Sequence, residues 1–352
     1  MSIDEREEIN FRKFKTIRRR SVSLSTQSLV KTGYLREQDK FPLVIEPQVE
    51  DVNAISWAQS NRGYIEDQLL KHGAILFRGF KLDGVERFEE FARAVSPRLL
   101  DYKERSSPRS VISQGIYTST DHPPDQYIHF HNEQSYTSSW PMKLWFFCAT
   151  PAERGGETPI ADGRKVLSYL NEKLKDRFIE KKVQYMRNYG DGIGLTWQTA
   201  FQTSDRLAVE DYCRKASISY EWKGGDRLRT RQIFDNIVTH PKTREMVWFE
   251  HVAFFHISSV EPSVREMLLA ELNEDDLPFN TYYGDGSPID DSVLEEIRAA
   301  YRQVAISFSW QERDLLLIDN VLTSHGRHPY GGQRKILVAM AELFSKEENR
   351  VL

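Results

Sequence analysis

Cysteine is nearly absent from this chain: Cys148 and Cys213 are its only two among 352 residues. That excludes a disulfide framework and suits a reducing cytoplasm. The absence of any Cys-x-x-Cys pair also excludes a thiolate-rich zinc or iron–sulfur site. No apolar run approaches transmembrane length, so no membrane role is expected. The opening residues, MSIDEREEINF, lack the apolar core of a secretory leader. Neither sign of charge dominates: 48 Lys and Arg stand against 52 Asp and Glu. That balance argues against a general nucleic-acid binder. Internal repeats and low-complexity linkers are also missing.

What is present fits one large globular domain. Apolar residues make up 39% and charged residues 28%. We read residues 1–40 as a basic N-terminal extension and 41–352 as a single domain with an insertion at about 185–290. The segment FRKFKTIRRR (Phe11 to Arg20) holds six cations in ten residues. It reads as a solvated helix or tail, with an interaction arm or localisation signal as the alternative.

The first third alternates helix and strand. Residues 54–72 read as a helix stopping at Gly73, followed by the buried strand AILF (Ala74 to Phe77). Val85, Phe88, Phe91, Ala92 and Val95 share one helical face. Short strand-like runs then follow: VIS, QYIHFH and KLWFFCAT. Leu167, Leu170, Leu174 and Phe178 mark a helix that Asp162 can cap. The insertion reads as short helices and loops rich in Gly, Arg and Tyr. Val293, Ile297 and Tyr301 mark another helix. The chain ends in the strands VAISFSW, DLLLIDN and RKILVAMAEL. Strands at both ends of a helical and loop insertion predict a mainly β fold, a double-stranded β-helix or cupin-like jelly roll. Its open mouth is a natural ligand site.

The segment FHNEQSY (Phe130 to Tyr136) ends an apolar run with His131, one spacer and Glu133. Residues i and i+2 of a strand point the same way. An imidazole and a carboxylate on one face suit divalent iron, manganese or zinc better than calcium. A facial triad needs a second histidine, and His240, His251, His256, His325 and His328 all lie downstream. His325 is attractive because it follows the strand DLLLIDN. His328 could replace it, and His129 could rival His131. Arg334, nine residues after His325, can hold a carboxylate through two parallel hydrogen bonds. A dicarboxylate cosubstrate beside an open iron site would need such a group.

These segments resemble the taurine dioxygenase/clavaminate synthase (TauD/TfdA) family of Fe(II)- and 2-oxoglutarate-dependent oxygenases. FHNEQSY, CATPAERGGETPIADGR and LLLIDNVLTSHGRHPYGGQRKILVAMA carry the resemblance. FPLVIEP, LLKHGAILFRGF, RNYG, WKGGDRLRTRQ and VWFEHVAFFH extend it to the branch of the syringomycin-biosynthesis hydroxylase. It spans roughly residues 40–343.

The resemblance implies a dioxygenase that binds iron through His131, Glu133 and His325 and uses O2 as cosubstrate. Thr158 and Arg334 would hold 2-oxoglutarate, with Lys335 the alternative if the strand register slips by one. The expected reaction is hydroxylation of an amino acid or amino-acid-derived substrate in specialised metabolism, releasing succinate and CO2. Desaturation or cyclisation is the alternative outcome. Related halogenases give up the carboxylate ligand to chloride, so Glu133 argues against halogenation. Taurine dioxygenase has a second arginine four residues after the first. Val338 or Ala339 stands there instead and binds no anion, so taurine does not fit.

Lys223, Arg227, Arg229 and Arg231 cluster in KGGDRLRTR. The family resemblance favours Arg229 and Arg231 as substrate contacts. The segment could grip a carboxylate, or an acyl or peptidyl carrier protein with its phosphopantetheine arm. Trp248, Phe249 and Phe255 could wall the pocket or belong to the core. A zinc or manganese hydrolase, or a metal-binding scaffold without turnover, would need neither Thr158 nor Arg334.

Overall fold

Alternation along one long strand, Ser139–Thr150, sets the architecture. Leu144, Phe146 and Cys148 point to one side and Trp145 and Phe147 to the other. In the computed structural model, which describes residues 29–101, 109–190, 194–346 and 350–351, this strand sits in a nine-stranded sheet. The sheet runs in the order Val30–Tyr34, Leu43–Pro47, Ala74–Phe77, Leu315–Asp319, Ser139–Thr150, Lys335–Ser345, Ile116–Thr118, Val111–Ser113. Arg350–Val351 adds to the Lys335–Ser345 strand. The basic run Phe11 to Arg20 lies outside the described residues. The sheet's first strand, Val30–Tyr34, falls within the 1–40 stretch and pairs antiparallel with Leu43–Pro47.

Helices Ala54–Ser60, Arg62–His72 and Gly84–Val95 cover the outer face, packing on Trp145, Phe147, Leu315, Leu317 and Leu337. Phe77, Phe88 and Phe91 are fully buried there. Each contributes about 2 kcal/mol or more through burial. The expected single helix over 54–72 is two, because Asn61 folds its amide back onto the Trp57 carbonyl (2.8 Å) and leaves helical geometry. Gly73 ends the second helix in the left-handed conformation, as the sequence predicts. The expected helix over Leu167–Phe178 likewise divides, into Gly163–Tyr169 and Glu172–Lys181. Asn171 caps the second piece through the Leu174 amide.

On the inner face, Leu144, Phe146, Leu316, Ile318, Ile336, Val338 and Met340 meet Ile160 of a three-stranded sheet. That smaller sheet orders as Ile128–His131, Thr323–Arg327, Ile160–Asp162. The two facing sheets form the double-stranded β-helix. The segment VAISFSW is not a strand: Ile306 makes an isolated bridge to Ile160, while Phe308 and Trp310 point into the same core. Its alternation records burial, not a ladder.

The insertion holds more β-structure than the sequence suggests. Ser219–Lys223, Arg227–Phe234, Val183–Tyr189 and Phe279–Tyr283 form a four-stranded antiparallel sheet beside the barrel mouth. Among the described residues, no helix is long and apolar enough to cross a membrane.

Candidate metal centre and cosubstrate cleft

His131 ends its strand directly opposite His325 in the ladder, with ring centroids 4.4 Å apart. Glu133 follows on the turn. One donor atom from each of the three lies within 4.8 Å of the others, and all three residues are buried. Nδ1 of His131 donates to the His129 carbonyl at 2.8 Å. A carbonyl only accepts, so the proton is on Nδ1 and Nε2 faces the cluster as a lone pair. Burial lowers the pKa of both imidazoles, and for His325 the lowering is strong. Both rings are therefore held in the neutral, metal-binding form.

The backbone around Glu133 is clamped by one side chain. Asn320 accepts from the Glu133 amide (2.8 Å) and donates to the carbonyls of Glu133 (2.9 Å) and Pro141 (2.9 Å). Asn132 in turn donates to the Asn320 carbonyl at 2.7 Å. The carboxylate itself accepts from Arg109: Nη2 lies 2.7 Å from Oε2.

Arg334 lies just before the strand Lys335–Ser345 and donates to neutral oxygens: Gly156 O at 2.9 Å, Ser119 Oγ at 3.3 Å and Thr158 Oγ1 at 3.4 Å. Trp310 Nε1 also donates to Thr158 Oγ1, at 3.2 Å. Burial, with Arg327 nearby, pushes the Arg334 pKa down to about 10. A half-buried guanidinium set on neutral partners calls for an anion. The glycines of GGET serve this group: a Cβ on Gly156 would lie 3.0 Å from Arg334 Cδ and 2.9 Å from the Ala152 Cβ. Thr158, Arg334, His131 and His325 all line one cavity of about 420 Å³. That volume suits a small cosubstrate and substrate together.

The other histidines are engaged elsewhere. His240 pairs with Asp319 at 3.0 Å, His328 with Glu157 at 3.2 Å, and His256 with Ser258 at 2.8 Å. His251 bonds Ser135 at 2.8 Å and packs against His131. His129 contributes its carbonyl to His131, and its own ring is held near pKa 4 by burial. Of the expected aromatics, Phe255 lines the cavity, whereas Trp248 and Phe249 pack in the cores behind it.

Arg229 and Arg231 are not in the cavity wall. Arg229 donates to Asn188 Oδ1 at 2.9 Å and to Asp276 at 2.7 Å, and Arg231 lies 3.6 Å from Asp275. Alternation along their strand turns both toward the 275–276 segment. Arg187, two residues before Tyr189, is the arginine of the insertion sheet that does line the cavity. It stacks over Tyr136 and Tyr189 at 5.1 and 4.9 Å. Sequence reading also missed Arg109 and Asn320. Asn320 carried a signal in hindsight, as the polar end of the apolar run DLLLIDN; Arg109, in a polar stretch, carried none.

The residues fit iron and 2-oxoglutarate. Two neutral imidazoles and one carboxylate converge, Nδ1 of His325 is buried without a hydrogen-bond partner among the described residues, and a half-buried arginine lines the same cavity. A double-stranded β-helix with such a centre defines the class of Fe(II)- and 2-oxoglutarate-dependent oxygenases. The chain belongs to the TauD, TfdA family: residues 39–340 match the model of the taurine catabolism dioxygenases. It is 40% identical to the dapdiamide synthesis protein DdaC of Enterobacter agglomerans, over 81% of this chain and 87% of that one. A clavaminate synthase-like protein of Arabidopsis thaliana is 26% identical over 87% of this chain and 95% of that one. The solved structure of PvcB, an Fe, alpha-ketoglutarate dependent oxygenase from an isonitrile synthetic pathway, shares the fold. Its TM-score is 0.54 at 15% identity, covering 90% of this chain and 94% of that one. The chain is thus an iron- and 2-oxoglutarate-dependent oxygenase.

Proposed function

We propose that this oxygenase hydroxylates an unactivated C–H bond of an amino acid or amino-acid-derived substrate. His131, Glu133 and His325 hold Fe(II), and Arg334 with Thr158 holds the far carboxylate of 2-oxoglutarate. One observation carries the reading: His131 and His325 of the triad line the same cavity as the Arg334–Thr158 pair. When bound, Fe(II) with 2-oxoglutarate and O2 supplies the oxidising power, and the cosubstrate leaves as succinate and CO2.

The chain supplies position. Arg334 orients the cosubstrate by a charge-assisted fork. The wall made by Phe254, Phe255, Phe279 and Leu195 keeps water from the reacting carbon. The retained carboxylate of Glu133 supports hydroxylation over halogenation. Similarity to a dapdiamide synthesis protein and to a clavaminate synthase-like protein supports a place in specialised metabolism. Cys148 and Cys213 are buried and form no disulfide, which supports a reducing cytoplasm.

Delivery of the substrate on a carrier protein is part of the proposal. A small cleft lined by Lys223 and Arg227 shares Asn188, Tyr189 and Pro278 with the main cavity. It offers cations where a phosphopantetheine arm would enter. The test offers candidate amino acids free and carrier-loaded, and measures succinate formed and oxygen gained by the substrate. Succinate made equally with and without His131→Ala would overturn the oxygenase assignment of the site. Turnover of the free form alone would remove the carrier. A product that has lost two hydrogens, with no oxygen gained, would replace hydroxylation by desaturation or cyclisation.

A further inference from the structure

We propose that Arg109 is a positioning residue that holds Glu133 to one oxygen on the metal, keeping a coordination position open for 2-oxoglutarate. The inference rests on the metal reading above. It goes beyond that reading because no part of the family pattern points to Arg109.

Nη2 of Arg109 lies 2.7 Å from Oε2 of Glu133, and the two side chains are 6% and 3% exposed. The Glu133 main chain is already fixed at both ends of its peptide by Asn320. The arginine takes hold of one oxygen of the carboxylate. A carboxylate with Oε2 in a charge-assisted bond meets a cation through Oε1. Without that bond both oxygens can turn to the metal, since carboxylates bind in one- or two-oxygen mode. The two-oxygen mode fills a position that a chelating cosubstrate requires. Arg109 also lines the cavity, so its charge sits on the side from which 2-oxoglutarate and substrate arrive.

The pair has a second consequence. A buried carboxylate without a cation is costly, and Arg109 supplies that cation in the metal-free protein. Partners that orient metal ligands typically affect affinity 10- to 100-fold when removed. Here the loss should fall on the cosubstrate rather than on the metal.

The test compares wild type, Arg109→Lys and Arg109→Leu. Fe(II) is titrated into each apoprotein without oxygen, followed by 2-oxoglutarate, and thermal unfolding of the metal-free proteins is recorded. In Arg109→Leu we expect Fe(II) to bind within a few-fold of wild type and 2-oxoglutarate to bind ~10-fold or more weakly. Arg109→Lys should recover part of that loss while remaining folded. Wild-type 2-oxoglutarate affinity in both variants overturns the proposal. So does parallel loss of Fe(II) and 2-oxoglutarate binding in Arg109→Lys when that variant melts like wild type. A wild type that binds no Fe(II) would instead overturn the metal reading itself.

Discussion

His131 and His325 face each other across one rung of an antiparallel ladder, their rings 4.4 Å apart, although they come from opposite ends of the domain. The jelly roll makes this possible: a strand from before the insertion pairs with a strand from after it. Gly326 permits the close crossing, since a Cβ there would lie 2.6 Å from the Ile128 carbonyl oxygen. The candidate metal centre is therefore a property of the closed fold. Neither half of the chain holds it alone.

The first prediction concerns ligand identity. Fe(II), or Mn(II) as an air-stable probe, should raise the melting temperature of wild type. A ligand at a hundredfold excess over its dissociation constant adds about 2.7 kcal/mol. His131→Ala, Glu133→Ala and His325→Ala should lose that increment, and His129→Ala should keep it. Loss in His129→Ala with retention in His131→Ala would move the centre one strand position pair away.

The second concerns the cosubstrate. Removing a buried cation from a carboxylate costs about 2–5 kcal/mol. Arg334→Gln should therefore raise the KM for 2-oxoglutarate ~30-fold or more. Lys335 is exposed, so Lys335→Gln should leave that KM unchanged. The reverse pattern would mean that the strand register is slipped by one.

The third concerns the clamp. Asn320→Ala strands the Glu133 amide and carbonyl and the Pro141 carbonyl. Urea unfolding should show a loss of about 3 kcal/mol, on the basis of 1–3 kcal/mol for each buried unsatisfied group. Fe(II) affinity should fall ~10-fold or more. Unchanged metal affinity in a destabilised protein would reduce Asn320 to a packing residue.

The fourth is a pH dependence. Glu250 is buried behind the centre, accepting from Tyr301 and from the Ala253 amide, each at 3.0 Å. Burial raises its pKa to about 7, from an ordinary 4.5. The folded state then holds the proton more tightly than the unfolded one. Stability from this group is full at low pH and is lost as pH rises from about 4.5 toward 7, by roughly 3 kcal/mol at most. Measured against Glu250→Gln across pH 5–8, wild type should lose ground as pH rises. Parallel curves would place an ordinary carboxyl there.

Much of the candidate centre was legible because its residues stand in local patterns. His131 and Glu133 are two residues apart at a strand end, and Gly156, Thr158 and Arg334 stand in short motifs. What was not legible depends on distant partners. Arg109 gains meaning only from Glu133, and Arg187 only from its place over Tyr136 and Tyr189. The strand Arg227–Phe234 hid behind its charges: three arginines suggested a loop, yet Arg229 is buried against Asp276. The same pairing explains why Arg229 and Arg231 do not reach the cavity. Helix lengths were overestimated where an asparagine, Asn61 or Asn171, bonds the backbone and divides a continuous apolar pattern.

The central claim is that His131, Glu133 and His325 hold an iron that 2-oxoglutarate chelates in the Arg334 cavity. Fe(II) and 2-oxoglutarate added together to the apoprotein without oxygen test it directly, by the visible metal-to-ligand charge-transfer absorption. Wild type should show a band that is absent in a folded His131→Ala. Folded, iron-loaded wild type that shows no band on saturation with 2-oxoglutarate would contradict it.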